Sequence, residues 1–152
     1  MGRQDASRRA STAIGSALYE LATGAVRRLP RDMSLTSAAT LATLDRIGPR
    51  RITDLAVIAG VTQPAMTVLV RVMEESGLVE RRGDPSDKRV TLVCLTGAGA
   101  SYVRARRRAG VQAYAGLIDK LTDDEVKALV AALPALRHLA ERDSQEREGS
   151  KQ

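Results

Sequence analysis

The chain has 152 residues, enough for one domain or for two small lobes that share a core. Its 43% hydrophobic and 28% charged residues are typical of a globular protein and exclude wholesale disorder. With three Tyr and no Phe or Trp, the core must be aliphatic, and the base stacking used by binders of single-stranded nucleic acid is disfavoured. The net charge of +6 favours a polyanionic partner, although a GC-rich genome would also encode many surface arginines.

The single cysteine, Cys94, excludes an intrachain disulfide and fits a reducing compartment. Arg8 and Arg9 are not followed by the apolar run of a secretory signal, and no stretch approaches the roughly 20 apolar residues that span a bilayer. We therefore expect a cytoplasmic protein.

Two helices are predicted in the N-terminal third. Apolar residues at three- and four-residue spacings predict the first from Ala10 to Leu29, with the polar residues 1–10 frayed. Ser34 or Thr36 can cap the second, which runs to about Ile47 before a Gly-Pro pair.

The next segment has the pattern of two short helices joined by a sharp turn. Thr53 is the predicted N-cap of the first, and Gly60 stops it. Thr62 caps the second, which ends near Ser76. Ala56 supplies the small side chain that two helices crossing near a right angle need. This pattern predicts a helix-turn-helix, whose second helix presents its N-terminal and outward residues to a major groove.

A basic hairpin is predicted after the helix pair. Two β-prone runs, Leu78 to Arg82 and Val90 to Leu95, flank the turn sequence GDPSDK. Asp87 can pair with Arg89 or hold the turn through the backbone. Four positive charges lie within nine residues of this hairpin: Arg81, Arg82, Lys88 and Arg89. A basic wing beside a helix-turn-helix indicates that the hairpin binds a nucleic-acid duplex and is not merely a solvated surface hairpin.

The C-terminal part is predicted to be helical. One long helix runs from Thr96 to about Leu121, and the capping box formed by Thr122 and Glu125 opens another. Pro134 is predicted to kink this last helix, and residues from Asp143 onward are predicted to form a charged tail.

The wing sequence GLVERRGDPSDKRVTLVCLTGAG resembles the pattern GLV-x-R…D-x-R…LT-x-x-G of MarR-type winged-helix regulators, and ITDLAVIAGVTQPAMTVLV resembles their two central helices. The resemblance covers nearly the whole chain. It implies a mainly α fold with a small β-hairpin wing: a winged helix-turn-helix plus a helical dimerisation region. The implied parts are an N-terminal dimerisation helix in 1–32, a winged helix-turn-helix DNA-binding domain in 33–96, and C-terminal dimerisation helices in 97–152.

The resemblance also implies a homodimeric, sequence-specific transcription regulator, usually a repressor, that binds a palindromic operator in double-stranded DNA. In it the helix-turn-helix enters the major groove, the wing arginine enters the minor groove, and the start of the second helix contacts phosphates. Val68 departs from the polar residue often found at its position. The predicted DNA contacts are Thr36, Ser37, Thr62, Gln63, Pro64, Thr67, Arg71, Arg81, Asp87, Lys88 and Arg89.

Two other functions remain open from the sequence: a sequence-tolerant nucleoid-type or RNA-binding winged-helix protein, and a winged helix that binds proteins. No catalytic residue set, metal site or cofactor motif is present in the sequence, and the sole histidine, His138, is expected at a surface or interface. We therefore expect no enzyme. The arginine run Arg104 to Arg108 is expected to be a solvated face, with an auxiliary phosphate clamp or an anionic-ligand pocket as the functional alternative.

The resemblance further suggests a small aromatic or anionic effector bound between the dimerisation and DNA-binding lobes. Tyr19, Arg46 and Arg51 are the residues predicted to line such a crevice. The near absence of aromatic residues makes a stacking pocket less favourable. The sequence names neither the operator, nor the regulated genes, nor an effector, and it does not separate repression from activation.

Overall fold

The structure, a computed structural model, describes residues 2–28, 30, 32–87 and 89–149, except for the side chains of 2, 3, 26 and 147–149. It contains six helices and two strands: α1 Gly2–Arg28, α2 Leu35–Ile47, α3 Ile52–Ala59, α4 Gln63–Glu75, β1 Val79–Gly83, β2 Thr91–Leu95, α5 Gly97–Ile118 and α6 Asp123–Gly149. The predicted fold class, mainly α with one β-hairpin, is confirmed. None of the described helices is by itself both long and apolar enough to cross a membrane; among the described residues, only α3 and α4 taken together, across a sharp bend, meet the length and composition required.

Several helix ends lie where local residues specify them. The Ser34 hydroxyl accepts a hydrogen bond of 3.1 Å from the backbone N–H of Ser37 and caps α2. The capping box of α6 is reciprocal: the Thr122 N–H donates to Glu125 Oε2 (2.8 Å), and the Glu125 N–H donates to Thr122 Oγ1 (3.4 Å). Because Glu125 accepts the Thr122 N–H and hydroxyl, the pKa of its carboxyl lies below the ordinary value.

The predicted start of the first helix and the predicted end of the last one are wrong. α1 begins at Gly2, and the hydroxyls of Ser11 and Thr12 bond back to the carbonyls of Ser7 and Arg8 within it. α6 continues through Pro134 to Gly149, so no separate tail begins at Asp143. Proline removes one backbone donor only, and the Glu, Arg and Gln residues that follow are good helix formers.

The predicted N-cap of the third helix is also wrong. α3 begins at Ile52, and Arg51 occupies the N-cap position without a capping side-chain hydrogen bond. Thr53 therefore lies inside the first turn, where its hydroxyl is 3.5 Å from Asp54 Oδ1. Ile52 is half-buried and packs against the hydrophobic core, and we attribute the earlier start to this tertiary contact.

The hairpin is antiparallel, with Val79 opposite Leu95 at its base and Gly83 opposite Thr91 near its turn. Arg50, between α2 and α3, adds an isolated bridge on the other side of β2. Its N–H donates to the Val93 carbonyl (3.2 Å), and the Val93 N–H donates to the Arg50 carbonyl (2.8 Å). This bridge fastens the wing to the segment that leads into α3.

One aliphatic core holds α2, α3, α4 and the hairpin together. Its buried residues are Leu41, Leu44, Leu55, Ala56, Met66, Val70, Met73, Val79 and Val93. Cys94 is also buried. Because α4 contributes Met66, Val70 and Met73 to this core, its opposite face points away from it.

The chain divides into two compact units, residues 1–111 and 112–152. In the first, the start of α5 lies against the hairpin: a Cβ at Gly99 would overlap the Leu78 carbonyl oxygen and lie 2.7 Å from Leu95 Cδ1. Tyr102 and Val103 pack against the core. The second unit contains the end of α5 and α6. The three-part division into 1–32, 33–96 and 97–152 stays a prediction.

Candidate nucleic-acid interface

The turn between α3 and α4 has the geometry of a helix-turn-helix. The axes of the two helices turn through 108°. Gly60 lies in the left-handed region at φ 66°, and the Val61 N–H donates to the Ala56 carbonyl (3.0 Å). Ala56 is buried, so the small side chain predicted for the crossing does lie inside it.

The N-terminal turn of α4 presents polar side chains to solvent. Thr62 caps the helix by accepting a hydrogen bond of 3.4 Å from the Ala65 N–H, and Pro64 lies in the first turn. The Thr67 hydroxyl donates to the Gln63 carbonyl (2.9 Å), which leaves its oxygen able to accept. Thr62, Gln63, Pro64 and Thr67 are all exposed. The free N–H groups of this helix end attract an anion such as phosphate.

Further along α4, the outward side chains are charged or apolar. Arg71 is exposed and forms an ion pair with Glu75 one turn later (Nε–Oε1 3.2 Å). Val68, before Arg71, and Val72, between Arg71 and Glu75, are both exposed. Because Arg71 and Glu75 lie in water, their pair contributes little stability and can exchange for another anionic partner.

Two aspartates shape the wing turn through hydrogen bonds to backbone groups. Asp84 Oδ1 accepts from the Ser86 N–H (2.8 Å) and hydroxyl (2.6 Å). Asp87 Oδ1 accepts from the Arg89 N–H (3.0 Å), and the Val90 N–H donates to the Asp87 carbonyl (2.9 Å). Of the two roles considered for Asp87, the structure shows the one in which it holds the turn.

The bonds from Ser86 also lower the pKa of the Asp84 carboxyl below its ordinary value, and the Arg51 guanidinium adds a smaller electrostatic contribution. Asp84 therefore stays ionised in acid more readily than a free aspartate. Its backbone N–H donates to the Val90 carbonyl (2.8 Å), so the wing turn is closed from both sides.

The wing arginines differ in their partners. Arg81 on β1 forms an ion pair with Glu74 on α4 (Nε–Oε2 3.4 Å), and Arg82 pairs with Glu80 beside it. Arg89 is exposed just after Asp87, at the end of the turn. Lys88, a predicted contact, lies outside the described residues. The Arg81 pair joins the wing directly to α4.

The start of α2 departs from the prediction at one residue. Ser37 is 5% exposed, its N–H donates to Ser34 Oγ, and the Ser34 hydroxyl donates to Ser37 Oγ (2.9 Å). Its side chain is therefore turned inward by the cap, and the structure does not support its predicted contact with phosphate. Thr36 is half-exposed and stays a candidate.

The run Arg104 to Arg108 is not uniformly a solvated face. Arg106 is 11% exposed, and its Nη1 donates to the Pro30 carbonyl (2.9 Å), to Asp32 Oδ1 (3.1 Å) and to the Tyr102 hydroxyl oxygen (3.2 Å). The Tyr102 hydroxyl in turn donates to Asp32 Oδ2 (2.9 Å). We call Asp32, Tyr102 and Arg106 the α5 triad; it ties the segment before α2 to α5. Arg104, Arg107 and Arg108 are exposed, as expected.

The triad shifts the titration of two of its members. The hydrogen bond from Tyr102, with the Arg106 guanidinium as a smaller cause, holds the pKa of the Asp32 carboxyl below its ordinary value. Partial burial and the hydrogen bond to Asp32 raise the pKa of the Tyr102 hydroxyl. Across the physiological range Asp32 is therefore an anion and Tyr102 a neutral hydroxyl.

The three residues predicted to line an effector crevice lie on different elements. Tyr19 is exposed on α1, and Arg46 is in the last turn of α2. Arg51 is the N-cap residue of α3, and its guanidinium is a smaller cause of the lowered pKa of Asp84. His138 is exposed on α6. Among the described residues, no group of three His, Cys, Asp or Glu is placed to hold a metal ion.

The sequence reasoning missed several residues that position the interface. The spacing of Arg71 and Glu75, four residues apart on a predicted helix, was a usable signal for their pair. The Arg50 bridge to β2 and the Arg81 pair with Glu74 carry no local signal, because their partners come from other elements. The α5 triad joins Asp32 to Tyr102 and Arg106, which lie 70 and 74 positions further along the chain, so no local pattern in the sequence predicts it.

Comparison with known proteins agrees with this geometry. The MarR family model matches residues 33–91. An uncharacterized HTH-type transcriptional regulator of Mycobacterium leprae is 32% identical over 106 residues, which are 69% of this chain and 74% of that protein. A transcriptional regulator of Thermotoga maritima has a similar structure, with a TM-score of 0.74, 20% identity, and coverage of 91% of this chain and 98% of that one.

A second solved structure with this fold is a point mutant of MepR from Staphylococcus aureus bound to an oligodeoxyribonucleotide. Its TM-score is 0.64 at 22% identity, over 86% of this chain and 96% of that one. The curated relatives are transcriptional regulators and not enzymes, which confirms the corresponding prediction. The identity to the mycobacterial relative, the match to the family model over the helix-turn-helix and wing, and the shared fold lead to one conclusion: the chain belongs to the MarR family of winged helix-turn-helix transcriptional regulators.

Proposed function

We propose that this protein is a homodimeric, sequence-specific repressor that binds a palindromic operator, with α4 in the major groove and the wing in the adjacent minor groove. The observation that carries the proposal is the exposed polar N-terminus of α4, joined through the pair of Arg81 and Glu74 to a basic wing with an ordered turn. Such a regulator acts in the cytoplasm, where the operator lies.

The two ends of α4 support different contacts. Gln63 has an amide that can bond an adenine edge in two places, and Thr62 and Thr67 offer hydroxyls to phosphates or bases. Arg71 can leave Glu75 for a guanine edge or a phosphate, because its pair is open to water. Thr36, half-exposed at the start of α2, is a candidate phosphate contact.

The wing supports a contact outside the major groove. Asp84 and Asp87 hold its turn by accepting backbone hydrogen bonds from Ser86 and Arg89, so the backbone of Arg89 is fixed at the turn. An arginine held in this way loses less conformational freedom on entering a narrow minor groove, whose negative potential attracts it. The MepR structure with bound oligodeoxyribonucleotide shares this winged fold and supports the assignment of DNA as the partner.

Apolar side chains on the terminal helices support a homodimer. In the single chain α1 leaves Ile14 and Leu21 exposed, and α6 leaves Leu129 and Leu133 exposed one turn apart. Surfaces of this kind on a regulator are covered most simply by a second copy related by a two-fold axis. That symmetry requires an operator with two half-sites about one helical turn apart.

We further propose that a small anionic or aromatic effector relieves repression. Tyr19, Arg46 and Arg51 remain its candidate residues, and the guanidiniums suit a carboxylate. Calorimetric titration with salicylate-like acids tests it: we expect binding heat and loss of operator affinity. If the titration shows no binding heat and operator affinity is unchanged, the proposed effector is wrong.

In-vitro selection of bound duplexes from a random pool tests the main function. We expect an enriched palindrome whose two half-sites are spaced by about one turn of DNA. Equal affinity for random duplex and for the selected sequence would instead indicate the sequence-tolerant nucleoid-type protein, and preference for RNA would indicate the RNA-binding alternative.

Sedimentation equilibrium tests the dimer separately. Leu133→Glu places a charge beside the exposed Leu129 on α6. We expect this variant to be more monomeric than the wild type. Val57→Glu, at an exposed valine of α3, is the matched control and should remain dimeric. A monomeric wild-type protein at micromolar concentration would contradict the proposal.

A further inference from the structure

The side chain in the middle of the outward face of α4 is apolar. The helix buries Met66, Val70 and Met73, and at 100° per residue Val68 lies roughly 170° around the helix from their mean direction. Val68 is 59% exposed, and Val72, one turn later, is 49% exposed. The centre of the outward face of the recognition helix is therefore an isopropyl group, flanked by Pro64 one turn earlier.

The isopropyl group of Val68 forms no hydrogen bonds with water. If α4 lies in the major groove, this group contacts the edges of the bases. The one methyl group in the major groove is the C5-methyl of thymine; apart from the small C5–H of cytosine, the base edges there present hydrogen-bond donors and acceptors. Opposite those polar groups a valine displaces water without replacing its hydrogen bonds, which is unfavourable. Opposite a thymine methyl it removes apolar surface from water on both partners.

We propose that Val68 is a specificity-determining residue that reads a thymine methyl in the major groove. The inference rests on the proposed function, because it requires α4 to lie in that groove. It adds an apolar readout at the centre of α4, between Gln63 near the helix N-terminus and Arg71 one turn beyond Val68. It predicts a thymine at a fixed position of each half-site.

The charges around Val68 favour DNA over a protein as the occupant of this face. Arg71 lies three residues beyond Val68 on the same side of the helix, and Arg81 connects α4 to the basic wing through Glu74. Both arginines are paired with glutamates and can exchange these partners for phosphates, and the chain carries a net charge of +6. An apolar side chain between such arginines suits a polyanion that carries methyl groups in its groove.

The experiment uses the intact protein and a selected operator. Each thymine of one half-site and its symmetry mate is replaced in turn by deoxyuridine, which removes the C5-methyl alone. The affinities of the wild type and of Val68→Ala are measured for every duplex. We expect one or two positions at which deoxyuridine weakens wild-type binding by about three- to tenfold, and at which Val68→Ala no longer distinguishes thymine from deoxyuridine.

Val57→Ala is the matched control, because Val57 is 69% exposed but lies on α3. It should keep the wild-type affinity and the wild-type response to deoxyuridine. Circular dichroism and thermal melting establish that both variants are folded, which is expected for truncations of exposed side chains.

Failure of the inference is distinguishable from failure of the proposed function. If selection yields a palindrome but Val68→Ala keeps every deoxyuridine effect, the methyl readout is wrong while the regulator stands. If Val68→Ala has wild-type affinity for all duplexes, Val68 does not contact DNA and the inference is wrong. The exposed valine would then favour a protein partner for this face of α4. If selection enriches no sequence, both the proposed function and the inference are overturned.

Discussion

The Tyr102 hydroxyl donates a 2.9 Å hydrogen bond to the Asp32 carboxylate, although 70 positions of sequence separate the two residues. Arg106 closes the group by donating to both of them and to the Pro30 carbonyl. Asp32 lies just before α2, and the other two residues lie on α5. The α5 triad therefore determines where α5 meets the segment that leads into the DNA-binding helices.

Arg106→Ala should destabilise the protein, because Asp32, Tyr102 and the Pro30 carbonyl lose a largely buried donor together. We expect the free energy of unfolding to fall by about 1–3 kcal/mol in urea denaturation. Arg107→Ala removes the same charge from the exposed part of the run and should change stability by less than about 0.5 kcal/mol. Equal effects of the two substitutions would contradict the structural role of Arg106.

The triad also predicts a pH dependence of stability. The folded-state pKa of Asp32 lies below its reference value of 3.8, so its contribution is present above that value and is lost as pH falls through the lower folded pKa. The difference in unfolding free energy between wild type and Asp32→Asn should be constant above about pH 5 and shrink in acid. Chemical denaturation at several pH values measures it; a difference that is unchanged down to about pH 2.5 would show that Asp32 gains nothing from its partners.

Asp87 offers a test in which electrostatics and geometry give opposite signs. Removing its negative charge should strengthen DNA binding, but losing the bond to the Arg89 N–H should release the wing turn. We expect Asp87→Ala to weaken operator binding by about three- to thirtyfold. Asp87→Asn keeps an acceptor oxygen and should bind at least as well as wild type. Stronger binding by both variants, in a fluorescence-anisotropy titration, would mean that only the charge matters.

Arg89→Ala should weaken operator binding by about 1–3 kcal/mol, because the side chain that the turn presents is removed. Arg108→Ala is the matched control, since it removes one exposed positive charge on α5 and leaves the wing intact. Titrations at several salt concentrations separate a general charge effect from a groove contact. Losses of equal size in both variants would refute the wing assignment.

Gly99→Ala should destabilise the chain by about 1–3 kcal/mol, because the added methyl meets the Leu78 carbonyl and Leu95 where α5 lies against the hairpin. Gly97→Ala, two residues earlier in the same helix, has no atom within 4 Å of the new methyl and should alter stability by less than about 0.5 kcal/mol. Thermal melting measures both. A Gly99→Ala protein as stable as wild type would show that α5 is free to move away from the hairpin.

Local signals account for the parts of the fold that were predicted correctly. Ser34 and Thr62 cap helices through bonds that close within three residues, and Gly60 takes a left-handed conformation that disfavours other residues. The capping box of α6 is equally local. The start of α3 at Ile52 instead of Thr53 follows packing against the core, which overrode the better capping side chain.

The sequence by itself determined the family, the helix-turn-helix and the wing, because caps, turns and apolar periodicity act over a few residues and are visible in order along the chain. Only the tertiary structure decided that Ser37 faces inward, that Arg106 belongs to a triad, and that Val68 is exposed on the face of α4 opposite the core. These facts depend on which elements pack against each other. That packing is set by the burial of the whole core and by contacts between residues far apart in sequence.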